Sequence, residues 1–172
     1  MRKVLVVVDY QNDFVDGALG FDGAADIEEK IVELIREFKA SGNLVAFTKD
    51  THYANYMNTV EGKNLPVPHC IKGTKGHDLR EAVDEEKEYF PVFEKETFPS
   101  LDLANFLKGT GAKEVYLCGL VSDICVFANA IMAKAALPNS EIYVIRDATD
   151  SNDHQIQEKS FEMLKHLHIN VI

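Results

Sequence analysis

The chain is expected to fold as an α/β protein, a three-layer α/β/α sandwich around a mainly parallel six-stranded sheet. Three observations predict it. Residues 3–8 (KVLVVV) are an unbroken, largely β-branched run, as in a strand covered on both faces. Short apolar runs then alternate along the chain with stretches of helical periodicity, which gives a repeated β-α-β-α order. The 172 residues show no internal repeat, linker or low-complexity segment, so one domain over residues 1–172 is expected.

Each element follows from local pattern. Residues 24–41 place Ile27, Ile31, Leu34, Ile35 and Phe38 on one helical face, and Gly42 marks the end. Residues 44–48 (LVAFT) read as the second strand. Residues 50–75, with Gly62, Pro66, Pro68 and Gly73, form an irregular stretch of a length that usually serves function. A short helix is expected over 77–86, with Leu79 and Val83 inward, and a strand over 91–94 (PVFE). Ser100 is placed to cap a helix over 101–108. Residues 115–119 (VYLCG) read as a strand, 123–136 as a helix and 141–146 (EIYVIR) as the fifth strand. Ile156, Met163, Leu164 and Leu167 suggest the inward stripe of a helix over 153–167, and residues 170–172 a last short strand.

Composition excludes several function classes. Basic residues number 18 and acidic residues 28, a net charge of −10, which repels phosphate backbones and argues against a nucleic-acid partner. The apolar run from Val4 to Val8 is stopped by Asp9, too soon for a membrane span or a secretory segment. Cys70, Cys118 and Cys125 are an odd set, which does not suit a disulfide framework. A cytoplasmic protein with no membrane partner is the expectation. The first strand runs into Asp-Tyr-Gln-Asn rather than a glycine-rich turn, which argues against dinucleotide binding.

Ligands of open α/β sheets bind beyond the carboxyl ends of the strands. There the sequence delivers Asp9 after strand one, Asp50 and His52 after strand two, Lys95 after strand three, and Cys125 after strand four. A thiol in the first turn of a helix feels the positive end of its dipole, which favours thiolate. Asp9 could take the thiol proton, and Lys95 could lower the thiol pKa. Singly, these residues read equally well as a buried cysteine, a turn cap and a surface lysine; their convergence carries the reading. Cys118 fits a structural role within its strand, and Cys70 fits either role. Asp50 and His52 are two apart, so in extended backbone they share a side. The same loop holds Glu61 and His69. Carboxylate and imidazole donors suit Zn²⁺, with Mn²⁺ or Fe²⁺ as alternatives. His77, His154, His166 and His168 read as surface or capping residues.

Taken in order, VVVDYQNDF, TKDTH, PHCIKGTKG, FEKETF and GLVSDICV resemble the motifs of the isochorismatase-like cysteine hydrolases, and within them the nicotinamidases. The resemblance runs over nearly the whole chain and implies that fold. It implies a triad of Asp9, Lys95 and Cys125, and a metal held by Asp50, His52 and His69 with Glu61 as the acidic ligand. It also implies a cis peptide at Leu120–Val121, with the N–H groups of Val121 and Cys125 forming an oxyanion hole. The implied reaction converts nicotinamide to nicotinate and ammonia through a cysteine thioester, in NAD salvage. Phe14, Phe98 and Leu65 are candidate contacts of the substrate ring; the chain has no Trp for that wall. Relatives are commonly homo-oligomers, and the helix after Cys125 is a candidate contact. The alternatives are a related hydrolase acting on another small amide or carbamoyl compound, and a non-catalytic domain of the same fold. Isochorismatases proper lack the nucleophilic cysteine, so Cys125 counts against them.

Overall fold

A computed structural model describes residues 2–172. The six strands are β1 (Lys3–Val8), β2 (Leu44–Asp50), β3 (Val92–Lys95), β4 (Glu114–Leu120), β5 (Glu141–Asp150) and β6 (Asn170–Val171). They form one sheet in the order β3-β2-β1-β4-β5-β6, and every neighbouring pair is parallel. The helices are α1 (Asn12–Val15), α2 (Glu28–Ala40), α3 (Val60–Asn64), α4 (Glu81–Lys87), α5 (Leu101–Thr110), α6 (Phe127–Ala136) and α7 (His154–His166). None is long and apolar enough to cross a membrane among the described residues.

The β1 sequence sets the layers, because side chains alternate across a strand. Val4, Val6 and Val8 join one core with Leu103 and Leu107 of α5, Ala130 and Ala133 of α6, and Phe161 and Leu164 of α7. Leu5 and Val7 face the other way, onto Ile31, Ile35 and Phe38 of α2 and Val83 of α4. Val4 to Val8 are fully buried, and each such side chain contributes about 1.5–3 kcal/mol of transfer free energy. The expected α/β/α sandwich is therefore present, built on a wholly parallel sheet.

Local chemistry ends the elements. The Ser100 hydroxyl accepts the Leu103 N–H at 3.1 Å to open α5, and Gly111 closes it in a left-handed conformation. Asp153 caps α7 by accepting from Gln155 and Ile156. Several expectations need correction. The helix expected over 77–86 starts at Glu81, because Lys75–His77 form a separate 3₁₀ turn. The helix expected from residue 123 starts at Phe127, after a wide π turn over Ser122–Val126. β5 runs on to Asp150 because, past an irregularity, Gly119 and Leu120 pair with Thr149 and Asp150. α7 is rotated from the expected stripe. It buries Gln157, Ser160, Phe161 and Leu164, while Ile156, Met163 and Leu167 are exposed.

Candidate active site

The strand order reverses between β1 and β4, where parallel sheets open a crevice beyond their carboxyl ends. Asp9 follows β1 with φ of 46°, a left-handed turn that costs about 1–3 kcal/mol in a non-glycine residue. Across the crevice, Gly119 has φ of 106°, and a Cβ there would stand 2.0 Å from the Val8 carbonyl oxygen. Only glycine lets β4 come this close to β1. The next peptide, Leu120–Val121, is cis. The chain then enters the π turn, which carries Cys125.

Asp9, Lys95 and Cys125 meet in this crevice. Lys95 Nζ lies 2.6 Å from Asp9 Oδ2 and 3.6 Å from Cys125 Sγ. It also donates to the Thr97 carbonyl at 3.0 Å. Asp9 Oδ1 accepts the Thr48 hydroxyl at 2.6 Å, whereas Oδ2 receives no directed hydrogen bond beyond its ion contact. All three side chains are buried. Burial raises the Asp9 pKa, and the Lys95 charge opposes it. Burial favours neutral Lys95, but Asp9, Cys125 and Asp50 outweigh it and hold the ammonium charged.

Burial also pushes the Cys125 thiol well up; Lys95 pulls it down, and Asp9 and Asp50 push it up again. Burial and these carboxylates act against the helix dipole and Lys95, which favour thiolate. Desolvation and two carboxylates outweigh the one ammonium. The Val121 carbonyl accepts from both Ile124 and Val126 at 3.2 Å, so the N–H of Cys125 between them is not taken by it.

A second cluster abuts the first. Asp50, His52, Glu61 and His69 offer four donor atoms within 4.8 Å of one another. His52 Nε2 is 2.9 Å and His69 Nε2 3.2 Å from Asp50 Oδ2, and the same nitrogens are 3.4 and 3.6 Å from Glu61 Oε1. His69 Nδ1 lies 2.8 Å from the Val67 carbonyl. The carbonyl accepts from Nδ1 and so turns Nε2 into the cluster. Burial works against a charged His52, yet Asp50 and Glu61 push its pKa up to about 9, so this spot attracts a cation. Two imidazoles and two carboxylates at this spacing fit a four-coordinate divalent ion.

A cavity of about 660 Å³ opens beside both clusters, lined by His52, Glu61, Val60, Leu65, Phe98 and Ile124 among others. Thr97, whose carbonyl holds Lys95, and Ile124, next to Cys125 in the chain, place it against the triad.

The isochorismatase domain family matches residues 3–172. The chain belongs to the isochorismatase family. A Bacillus subtilis isochorismatase family protein without assigned activity is 35% identical over 77% of this chain and 79% of its own. The pyrazinamidase of Pyrococcus horikoshii, solved in complex with zinc, superposes with a TM-score of 0.84 at 32% identity, covering 100% and 99% of the two chains. The nicotinamidase/pyrazinamidase of Bacillus subtilis gives 0.89 at 29% identity, with 99% of each covered.

Against this family background, the structure brings Asp9, Lys95 and Cys125 together beside the cluster of Asp50, His52, Glu61 and His69. Leu65 and Phe98 line the cavity. Phe14 does not. It is half-buried, packed on the α2 side of the core, with its ring 5.6 Å from that of His69. Sequence reasoning missed Gln11, Asp13, Tyr56 and Asn129. Tyr56 is buried, with its ring edge-on to His52 and His69 at 4.8 and 5.2 Å. Asn129 Nδ2 donates to the Cys125 and Phe98 carbonyls at 2.8 and 3.1 Å, tying α6 to the segment after β3. His77, read as a surface or capping residue, is buried with Nε2 2.9 Å from the Thr51 hydroxyl. Gln11 and Asp13 lie inside the VVVDYQNDF motif, which was the one available signal for them.

Proposed function

We propose that this chain hydrolyses the carboxamide of nicotinamide to nicotinate and ammonia through a thioester on Cys125, a step of NAD salvage. The observation that carries the reading is the Lys95 ammonium in contact with both the Asp9 carboxylate, at 2.6 Å, and the Cys125 sulfur, at 3.6 Å. An acid, a cation and a thiol so arranged suit nucleophilic acyl transfer. Structural relatives named nicotinamidase and pyrazinamidase support the substrate class.

In this reading Asp9 Oδ2 takes the thiol proton as Cys125 Sγ bonds to the amide carbon. Lys95 stays charged and offsets the negative charge shared by carboxylate and sulfur. The N–H groups of Val121 and Cys125 receive the oxyanion; one such donor is typically worth about 3–4 kcal/mol of transition-state stabilisation. As the oxyanion collapses, the C–N bond breaks and Asp9 returns the proton to the departing ammonia. A water then gives a proton to Asp9 while its oxygen bonds to the thioester carbon. The C–S bond breaks, nicotinate leaves, and the thiol regains its proton. Asp50, His52, Glu61 and His69 hold a divalent ion, zinc being the first choice. When bound, that ion supplies a Lewis-acidic contact for a ring nitrogen. Leu65, Phe98 and Phe14, whose ring stands 5.6 Å from that of His69, contact the substrate ring.

Ammonia release from nicotinamide by the whole chain, with Cys125→Ala alongside, tests the proposal. Turnover by the parent and none by the variant is the expected result. Equal rates, or no turnover by either, would overturn it.

A further inference from the structure

We propose that Gln11 and Asp13 are positioning residues that set how tightly the Asp50, His52, Glu61 and His69 cluster holds its metal; this rests on reading the cluster as a metal site. Neither residue offers a donor atom to the cluster, and neither touches the sulfur of Cys125. Each instead grips the backbone of one ligand-bearing segment.

Gln11 is fully buried. Its Oε1 accepts the Asp50 N–H at 2.7 Å, and its Nε2 donates to the Asp50 carbonyl at 2.9 Å. The side-chain amide thus pairs with both polar groups of one residue, as a neighbouring strand would. The second Nε2 hydrogen goes to the His77 carbonyl at 2.8 Å. A backbone N–H only donates and a carbonyl only accepts, so one orientation of the amide satisfies all three bonds. Asp50 is the last residue of β2, and His52 follows two residues later. Gln11 therefore extends the order of the sheet to where the first two ligands emerge.

Asp13 acts on the other segment. Its Oδ2 accepts the Cys70 N–H at 2.7 Å, and its Oδ1 accepts the Ala18 N–H at 3.2 Å. Cys70 follows His69 and has φ of 46°, a conformation held from outside the loop. A Cβ on Gly76 would stand 2.1 Å from Asp13 Oδ2, so the carboxylate is seated directly on that glycine's backbone. Hence one stretch after β1 presents Asp9 to the sulfur, Gln11 to the first ligand pair and Asp13 to the loop histidine. Four donors must converge before an ion is bound, and a pre-set backbone spares that ordering on binding. Partners of this outer kind typically change metal affinity about 10–100-fold.

The test is zinc affinity, measured by competition with a chromogenic chelator, for the parent chain, Asp13→Asn and Gln11→Leu. Metal-free melting temperature and the alkylation rate of Cys125 are recorded alongside. Asp13→Asn keeps the shape and removes the charge that strengthens its bonds; Gln11→Leu removes all three bonds. Zinc Kd is expected to rise about 10–100-fold in both, with the alkylation rate of Asp13→Asn near that of the parent. A purely structural role would lower the metal-free melting temperature and leave zinc Kd unchanged, and that result overturns the inference. Should Gln11→Leu fail to fold, Asp13→Asn decides alone. A parent chain that binds no zinc overturns the metal reading itself, and this inference with it. Zinc bound equally by parent and variants overturns only the inference.

Discussion

Lys95 Nζ lies 2.6 Å from Asp9 Oδ2, and both side chains are sealed from solvent. Breaking a buried pair from one side strands a charge, at a cost of about 3–5 kcal/mol. Lys95→Met is therefore expected to lower urea-unfolding stability by about that amount, with loss of amide turnover. The double variant Asp9→Asn/Lys95→Met removes both charges and should regain much of the stability without regaining turnover. A double variant no more stable than Lys95→Met would show that the pair is not what stabilises the crevice.

The environment of Cys125 predicts an unusual pH profile for alkylation. Burial and the carboxylates of Asp9 and Asp50 outweigh Lys95, so the thiol holds its proton above the ordinary value of about 8.5. Iodoacetamide should label Cys125 with a rate still rising past that pH. Asp9→Asn removes a charge that raises the thiol pKa. It should speed labelling at neutral pH while losing turnover, because the thiolate forms but no base remains to carry the proton. Burial pushes the thiols of Cys70 and Cys118 up as well, so neither should compete.

Metal removal should be visible without any substrate. The Asp50, His52, Glu61 and His69 donors crowd within 4.8 Å. Dialysis against a chelator is expected to lower the melting temperature, and zinc to restore it. Linkage gives about 2.7 kcal/mol of stabilisation at a zinc concentration 100 times Kd. His69→Ala should abolish the zinc-dependent gain; a gain that survives would place the ion elsewhere.

His77 predicts a component of acid sensitivity. Burial lowers its pKa, Lys49 and Lys72 add to this, and Glu94 and Asp78 oppose it. The unfolded chain takes the proton near the ordinary value of about 6.5, while the folded chain resists until lower pH. This contribution is therefore intact above about pH 6.5 and is lost as pH falls from there toward the lower folded value. His77→Gln should flatten that slope in urea-unfolding measurements between about pH 5 and 7, and an unchanged slope would refute the assignment.

Much of the site was legible because its residues stand at strand ends. Asp9 follows β1, Asp50 and Lys95 end β2 and β3, and parallel strands deliver their carboxyl ends to one edge. The orientation of α7 was not legible. Periodicity chose Ile156 and Met163 as inward, but the helix turns Gln157 inward instead. The Gln157 amide reaches the Ser122 hydroxyl at 2.9 Å and Asp150 Oδ1 at 3.3 Å. A polar side chain can outrank apolar ones when distant partners satisfy it, and hydrophobic spacing contains no record of such partners. His77 was misjudged for the same reason, since Thr51 holds it from another segment.

The sequence by itself determined the alternation of strands and helices, the parallel sheet and the set of reactive residues at its edge. These follow from local pattern, because the period of apolar residues encodes which face each element buries. Only the tertiary structure decided that burial and two carboxylates oppose Lys95 at the thiol, that Gln11 and Asp13 grip the segments bearing Asp50 and His69, and that the Phe14 ring packs beside His69. Charge balance and hydrogen bonding depend on distances between segments far apart in the chain, and those distances exist only once the sheet has assembled.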